Sequence, residues 1–334
     1  MDIRSYSGIL QYAGKSIIKI LSLLIAVSIL SFILVSASPV DPVRAYIGEV
    51  GMANISAENL AKLEAYFGLH TPPTERYWNW FTDFIQGNMG TSLFYRQPVA
   101  SVIHTKFMNS MLLMTTAWIL SGGLGFILGI ISGLYRGRWI DKFIKGYSLL
   151  VASTPTFWLA LVLLMVFSVW LQILPIGLSV PIGVNAADVS ILDSIKHLIL
   201  PALTLSVIGI ANITLHTREK MIDIMGEDYI LFAKARGKSR FSIIQSHALR
   251  NIMLPAITLQ FASISEIFGG SVLVEQVFSY PGLGKAAVSA GLSGDAPLLL
   301  GIAVISAALV FTGNFIANLL YGIIDPRIRR GSAL

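Results

Sequence analysis

Six long apolar stretches decide what this chain can fold into. They lie near Ile17–Ala37, Ser110–Leu134, Phe143–Leu174, Leu198–Leu215, Ala256–Val277 and Leu298–Ile324. A helix needs roughly 20 apolar residues to cross the hydrocarbon core of a bilayer. Inside lipid no water satisfies a free peptide group, so such a stretch closes its own hydrogen bonds as a helix. The expectation is an all-α integral membrane protein with six transmembrane helices. Composition agrees, with 54% hydrophobic and 13% charged residues among 334 and a mean hydropathy of +0.72. A soluble domain carries about 25% charge. The third stretch is long enough to tilt or to include an interfacial turn. The first resembles a secretion signal in its flanking Lys15 and Lys19, but its length and the following Pro39 favour a retained anchor.

The chain has no cysteine, which excludes a disulfide scaffold and a thiolate metal site. A net charge of +6 could suit nucleic acid, but the cations stand beside apolar stretches, which is a topological pattern instead. With the N-terminus in the cytoplasm, most of the 24 Lys and Arg residues fall on the inner side, including Arg136, Arg138, Lys142, Lys145, Arg218, Lys234, Arg236, Lys238, Arg240, Arg250 and Arg327. The two short outer loops carry only Lys196 and Lys285. Both termini are therefore expected inside.

Three parts follow: residues 1–37 with the first span, an outer cap over 38–109, and a core over 110–334 with five spans and a cytoplasmic loop at 216–255. In the cap, Ser56 can start a helix carrying Leu60, Leu63 and Phe67, and Gly68 can stop it. Tyr77, Trp78, Trp80, Phe81, Phe84 and Ile85 suit a helix at the bilayer interface or a packed cover on the outer mouth. Gly125, Gly129 and Gly133 share one face of the second span and let another helix backbone come close.

The cytoplasmic loop is polar, basic and helix-compatible, and both its ends are tethered to apolar stretches. Gly226 breaks the preceding helix, Asp228 can cap a new one, and Ile230, Leu231 and Phe232 are bulky while Ala233, Ala235 and Gly237 are small. A short helix with a bulky and a small end can insert into a groove on a partner. Ser239 can cap the next helix through Arg250, and Leu254-Pro255 opens the fifth span at a position where a first-turn proline is tolerated.

This loop resembles the cytoplasmic loop of ABC-importer permeases, whose pattern is Glu-Ala-Ala, three residues, Gly, then a long gap to Leu-Pro. Ala233, Gly237 and Leu254-Pro255 stand at the matching places, with Ala235 among the three residues between. Asp228-Tyr229 and His247-Ala248-Leu249-Arg250-Asn251 bring it closer to the dipeptide/oligopeptide/nickel branch. Further fragments agree in order, among them Met89-Gly90-Thr91-Ser92, Thr154-Pro155-Thr156-Phe157-Trp158-Leu159, Pro281-Gly282-Leu283-Gly284 and Asp325-Pro326-Arg327. The chain departs from the general pattern in lacking the leading Glu, with Phe232 preceding Ala233, so the ATPase is offered no salt bridge from there.

The resemblance implies a type I ABC-importer permease fold with an extracellular cap after the first helix. It implies a pore shared with a sister permease in the cytoplasmic (inner) membrane. Two cytosolic ATPases hold ATP and Mg and receive the loop, and an external binding protein delivers short peptides or a nickel or metal-chelate complex. Glu227, Asp228, Tyr229, Ala233, Ala235 and Gly237 would contact the ATPases, with Arg250, Leu254 and Pro255 orienting the loop. Glu266 in the fifth span, sharing a face with Gly269 and Gly270, is the candidate for the translocation path, because a carboxylate in hydrocarbon must face a cavity or a partner. A proton relay would need a second buried ionisable group, and the sequence offers none that stands out.

Other chemistries fail on spacing. The segment Pro281–Lys285 lacks the Gly before and the Ser or Thr after that a phosphate loop requires, so the chain is not expected to bind nucleotide, cofactor or metal itself. Its five histidines are unpaired at ligand spacing, and His70, His104 and His197 read as surface residues. No Gly-x-Ser-x-Gly elbow is present for a membrane hydrolase. The main rival is an ion-coupled secondary transporter, which predicts inverted repeats and several buried charges.

Overall fold

The computed structural model describes residues 3–181 and 189–324. The Asp325-Pro326-Arg327 signature lies outside them. Among the described residues fourteen α-helices follow in order: α1 (Ile3–Ser36), α2 (Pro42–Asn54), α3 (Ala57–Tyr66), α4 (Pro73–Ile85), α5 (Val99–Leu134), α6 (Trp139–Ala152), α7 (Thr156–Leu164), α8 (Ile191–Met225), α9 (Asp228–Ala235), α10 (Arg240–Ile243), α11 (Leu249–Ala262), α12 (Ile264–Val277), α13 (Leu283–Ser293) and α14 (Ala296–Ile324). Two π-helical stretches, Met165–Trp170 and Ile244–Ala248, continue α7 and join α10 to α11. Among the described residues the sole β pairing is an isolated bridge between Thr91 and Pro98.

Among the described residues four helical stretches are long and apolar enough to cross a membrane: Gly14–Ser36, α5, α8 and Ala296–Leu319. Two bent pairs raise the number to six if each is one span. The expected single stretch Phe143–Leu174 is one of these pairs, broken by 109° between α6 and α7. The break has a local cause. Pro155 has no N–H and disfavours a helical conformation at Thr154. The Ser153 and Thr154 hydroxyls then donate to the Leu149 and Leu150 carbonyls at the frayed end of α6. The fifth stretch bends by 48° at Ser263, between α11 and α12.

The chain divides into two compact units, residues 1–110 with 281–312, and 111–280 with 313–334. In the first, Val99, Val102 and Ile103 pack against Leu283, Ala286, Ala290, Leu298 and Ile302. Asp295 is fully buried and caps α14, accepting from the Leu298 N–H at 3.2 Å, the Phe94 N–H at 3.0 Å and the Ser92 hydroxyl at 2.5 Å. Burial, and then the Asp295 charge, raise the pKa of the nearby Tyr95 phenol. Ser56 caps α3 as expected, and Gly68 follows it in a left-handed conformation. The aromatic segment forms α4 and packs on α1, with Tyr77 edge-on to Phe32 at 5.4 Å and bonded to Ser28 at 2.9 Å.

In the second unit α8 is the hub, packed on α6, α7, α11 and α12. The glycine face of α5 meets it too, and the two helices run parallel. A Cβ on Gly125 would stand 3.0 Å from the Ile210 carbonyl, one on Gly129 2.5 Å from Thr217 Cβ, and one on Gly133 2.6 Å from Met221 Cβ. The Thr214 hydroxyl donates to the Gly125 carbonyl across this seam at 3.2 Å. Trp118 of α5 and Gln260 of α11 exchange bonds, indole N–H to the Gln260 carbonyl at 2.8 Å and amide NH2 to the Trp118 carbonyl at 2.6 Å.

Gly129→Leu is expected to force α5 and α8 apart and to destabilise the solubilised protein by about 1–3 kcal/mol. Gly123→Ala, which meets no atom within 4 Å, is the control and is expected to stay within about 0.5 kcal/mol of the parent. Thermal unfolding in detergent measures both.

Candidate functional site

The segment that joins α8 to α11 is built from three local devices. Glu227 takes an extended conformation after Gly226 and turns the chain into α9. Asp228 does not cap this helix as expected. It is the first helical residue, Glu227 holds the cap position without a side-chain bond, and the Asp228 charge sits in the first turn beside the positive helix end. Gly237 then closes α9 in a left-handed conformation, φ +77°. Its N–H reaches the Lys234 carbonyl at 2.9 Å and the Lys238 N–H reaches the Ala233 carbonyl at 3.2 Å, a Schellman closure. Ser239 caps α10 through the Ser242 N–H, as expected.

Burial sorts the face of α9. Ile230 is fully buried and Ala233 nearly so, against Ile243, Ile224 and Met225. Ala233 is therefore an inner contact rather than part of the presented surface. Leu231 is 51% exposed, Phe232 64% and Tyr229 43%, so three large side chains stand out from a helix whose opposite face is anchored. Ala235 and Gly237 are also exposed, and the Arg236 guanidinium lies 5.7 Å from the Phe232 ring.

The second motif reaches back to the first. Asn251 Nδ2 donates to the Tyr229 hydroxyl at 3.2 Å, and the His247 ring stands edge-on to Tyr229 with centroids 6.5 Å apart. His247 Nε2 is 3.1 Å from Lys238 Nζ. Ala248 and Ile252 are buried with Met221 of α8. Arg250 and Leu254 are exposed, and Pro255 does not open a helix. It lies inside α11, because the helix already runs from Arg240 through the π stretch. Arg240 ties this segment to α5: it donates to the carbonyl of Leu134 at the end of α5 and lies 5.4 Å from the Tyr135 ring.

A buried ion pair stands beside it. Arg218 Nε and Nη2 donate to Asp141 Oδ1 and Oδ2 at 2.6 and 2.9 Å. Ser132 Oγ and the Gly137 N–H complete the carboxylate, each at 2.7 Å. The remaining Arg218 nitrogen, Nη1, donates to Glu219 at 2.5 Å. Sequence reasoning counted Arg218 and the cations around Asp141 only as orientation signals. The available clue was spacing: Thr214 and Arg218 are one turn apart on the face that meets the glycines of α5.

The bend at Ser263 leaves a cavity of about 670 Å³ against α8, whose polar lining includes Asn212, His216, Glu219, Ser263, Ser265 and Glu266. Glu266 is exposed in the first turn of α12 and opens onto this space. Gly269 and Gly270 do not line it; a Cβ on Gly270 would stand 3.1 Å from the Leu205 side chain. Further on, Glu275 is fully buried, and burial followed by the Glu275 charge pushes the Tyr280 phenol up to about 12. His197 is buried rather than on the surface, and its Nδ1–H donates to the Gly177 carbonyl at 2.7 Å. No group of three His, Asp or Glu among the described residues could hold a metal ion.

Residues 125–330 match the family described as binding-protein-dependent transport system inner membrane component, and residues 9–114 match its N-terminal companion. The chain is similar to the oligopeptide transport system permease protein AppB of Bacillus subtilis strain 168, 37% identical over 92% of this chain and 95% of that protein. It is similar to the dipeptide transport system permease protein DppB of Escherichia coli K12, 31% identical over 96% and 99%. The di/tripeptide transport system permease protein DppB of Pseudomonas aeruginosa UCBPP-PA14 is 34% identical over 91% and 94%.

Ile230→Ala empties the core under α9, which costs about 2–5 kcal/mol. Limited proteolysis is expected to cut within residues 227–238 about tenfold faster or more. Phe232→Ala, on the exposed side, is expected to cut at the parent rate.

Proposed function

The chain belongs to the family of inner-membrane components of binding-protein-dependent transport systems, and from that premise we propose that it is the permease subunit of an ATP-driven importer of short peptides. It lies in the inner membrane with both termini in the cytoplasm and shares its pore with a sister permease. Two cytosolic ATPases, which hold the ATP and Mg, receive α9. An external binding protein delivers the peptide. The relatives named above carry peptide substrates in their names, which favours peptides over a nickel or metal-chelate cargo.

The observation that carries the reading is the exposed trio Tyr229, Leu231 and Phe232 on a helix held from behind by Ile230 and Ala233. Large side chains left exposed at neighbouring positions of one anchored helix suit a contact surface. Leu231, standing where the general pattern has Glu, and Phe232 beside it make the docking apolar, with Arg236 over the Phe232 ring. Closure of the ATPase pair pushes on α9, and the push passes into α8. The permease is then a two-state assembly whose balance the nucleotide shifts, with no bond made or broken in this chain. The cavity at the α11–α12 bend, with Glu266 on its wall, lies along the peptide's path.

The test is uptake of a labelled dipeptide into proteoliposomes holding the full assembly. The parent is expected to accumulate peptide only with ATP. Phe232→Ala removes an aromatic anchor worth about 2 kcal/mol or more and is expected to lower uptake about tenfold or more. Gly237→Val places a branched residue at φ +77°, straining the closure of α9 by about 1–3 kcal/mol, and is expected to separate ATP hydrolysis from uptake. Full uptake by both variants would count against the reading.

A further inference from the structure

The buried pair at the base of α8 is more elaborate than stability alone requires. Asp141 and Arg218 are 3% and 7% exposed. A carboxylate has about four acceptor sites, and Asp141 fills them from three other places in the chain: Ser132 in the last turn of α5, Gly137 in the connector, and Arg218 twice. Two apolar residues of similar volume would hold such a junction as well or better, since burying both charges costs much of what their attraction returns. What a forked, bidentate pair adds is a single allowed register between the elements that carry it.

Its place in the chain gives that register a use. Arg218 lies about two turns before the end of α8, after which Gly226 and Glu227 lead into α9. One turn beyond it, Met221 packs with Ala248 and Ile252. Arg240, just past α9, grips the last carbonyl of α5. The segment on both sides of α9 is thus tied to α5 and its connector at successive points, and the ion pair is the tie with a charge on both partners. The same guanidinium holds Glu219, which lines the cavity that Glu266 also lines.

We propose that Asp141 and Arg218 are positioning residues for coupling: they make the C-terminal ends of α5 and α8 and the start of α6 move as one body with α9, so that a push on α9 reaches the cavity instead of bending α8. The proposal rests on the reading of α9 as the ATPase contact. Neither residue touches substrate or nucleotide in this scheme.

The experiment measures peptide imported per ATP hydrolysed in proteoliposomes holding the sister permease, the ATPases and the binding protein. Asp141→Asn and Arg218→Lys, which keep the volume but lose the charge or the fork, are each expected to lower this ratio about tenfold. The double variant Asp141→Leu/Arg218→Met separates positioning from stability. It is expected to restore assembly yield and unfolding midpoint close to those of the parent while the ratio stays low. A parent-like ratio in the double variant, or in both single variants, overturns the proposal. Absence of ATP-dependent uptake by the unmodified assembly is a different result: it removes the coupling reading, and the role of the pair with it.

Discussion

The close approach of α5 and α8 sets where the buried ion pair and the segment around α9 meet the end of α5. Three glycines, one per turn, bring the backbone of α5 to within contact of Ile210, Thr214, Thr217, Arg218 and Met221. In lipid there is no hydrophobic gain from joining two apolar helices, so dispersion at short range and a few polar bonds must hold them. A methyl group at any of these glycines would push the helices apart by more than such contacts tolerate. The seam brings Ser132 and the α5–α6 connector alongside Arg218, and it brings the end of α5 within reach of Arg240. The buried ion pair and the anchoring of the loop are consequences of that spacing.

The paired motifs of the loop have a chemical reason to occur together. Asp228-Tyr229 opens α9, and His247 and Asn251 lie one turn apart on the following helix, both against Tyr229. The small residue Ala233 is required on the inner side, where it meets Ile243, and Gly237 is required where the backbone turns left-handed to close the helix. Residues between these constraints, Leu231 and Phe232, are free of them and point away. The division between what is structurally determined and what is presented follows from which side chains the second helix covers.

Buried charge is the other organising theme. Asp295, Glu275, Asp141 and Arg218 are all withdrawn from solvent, and for Asp295 and Asp141 the donors that replace water are identified. Two of the four stand at helix boundaries: Asp295 caps α14 and Asp141 lies in the first turn of α6. Such positions supply free backbone N–H groups, which is where an ionised carboxylate is least costly to bury.

The class of fold, the number of apolar stretches, the cap at Ser239 and the segment that forms α9 follow from the order of residues along the chain. These depend on length, local propensity and backbone conformation, each of which is a property of neighbouring residues. The break at Pro155 was legible only as room for a turn, and its angle was not. The tertiary structure alone decided that Asp141 meets Arg218, that Asn251 returns to Tyr229, that Ala233 faces inward, and that Glu266 opens onto a cavity while Gly269 and Gly270 do not. Those outcomes depend on which helix lies against which, and at what rotation. One helical turn of slippage would change every partner while leaving the local pattern of each segment as it was, so no periodicity within a segment could have specified them.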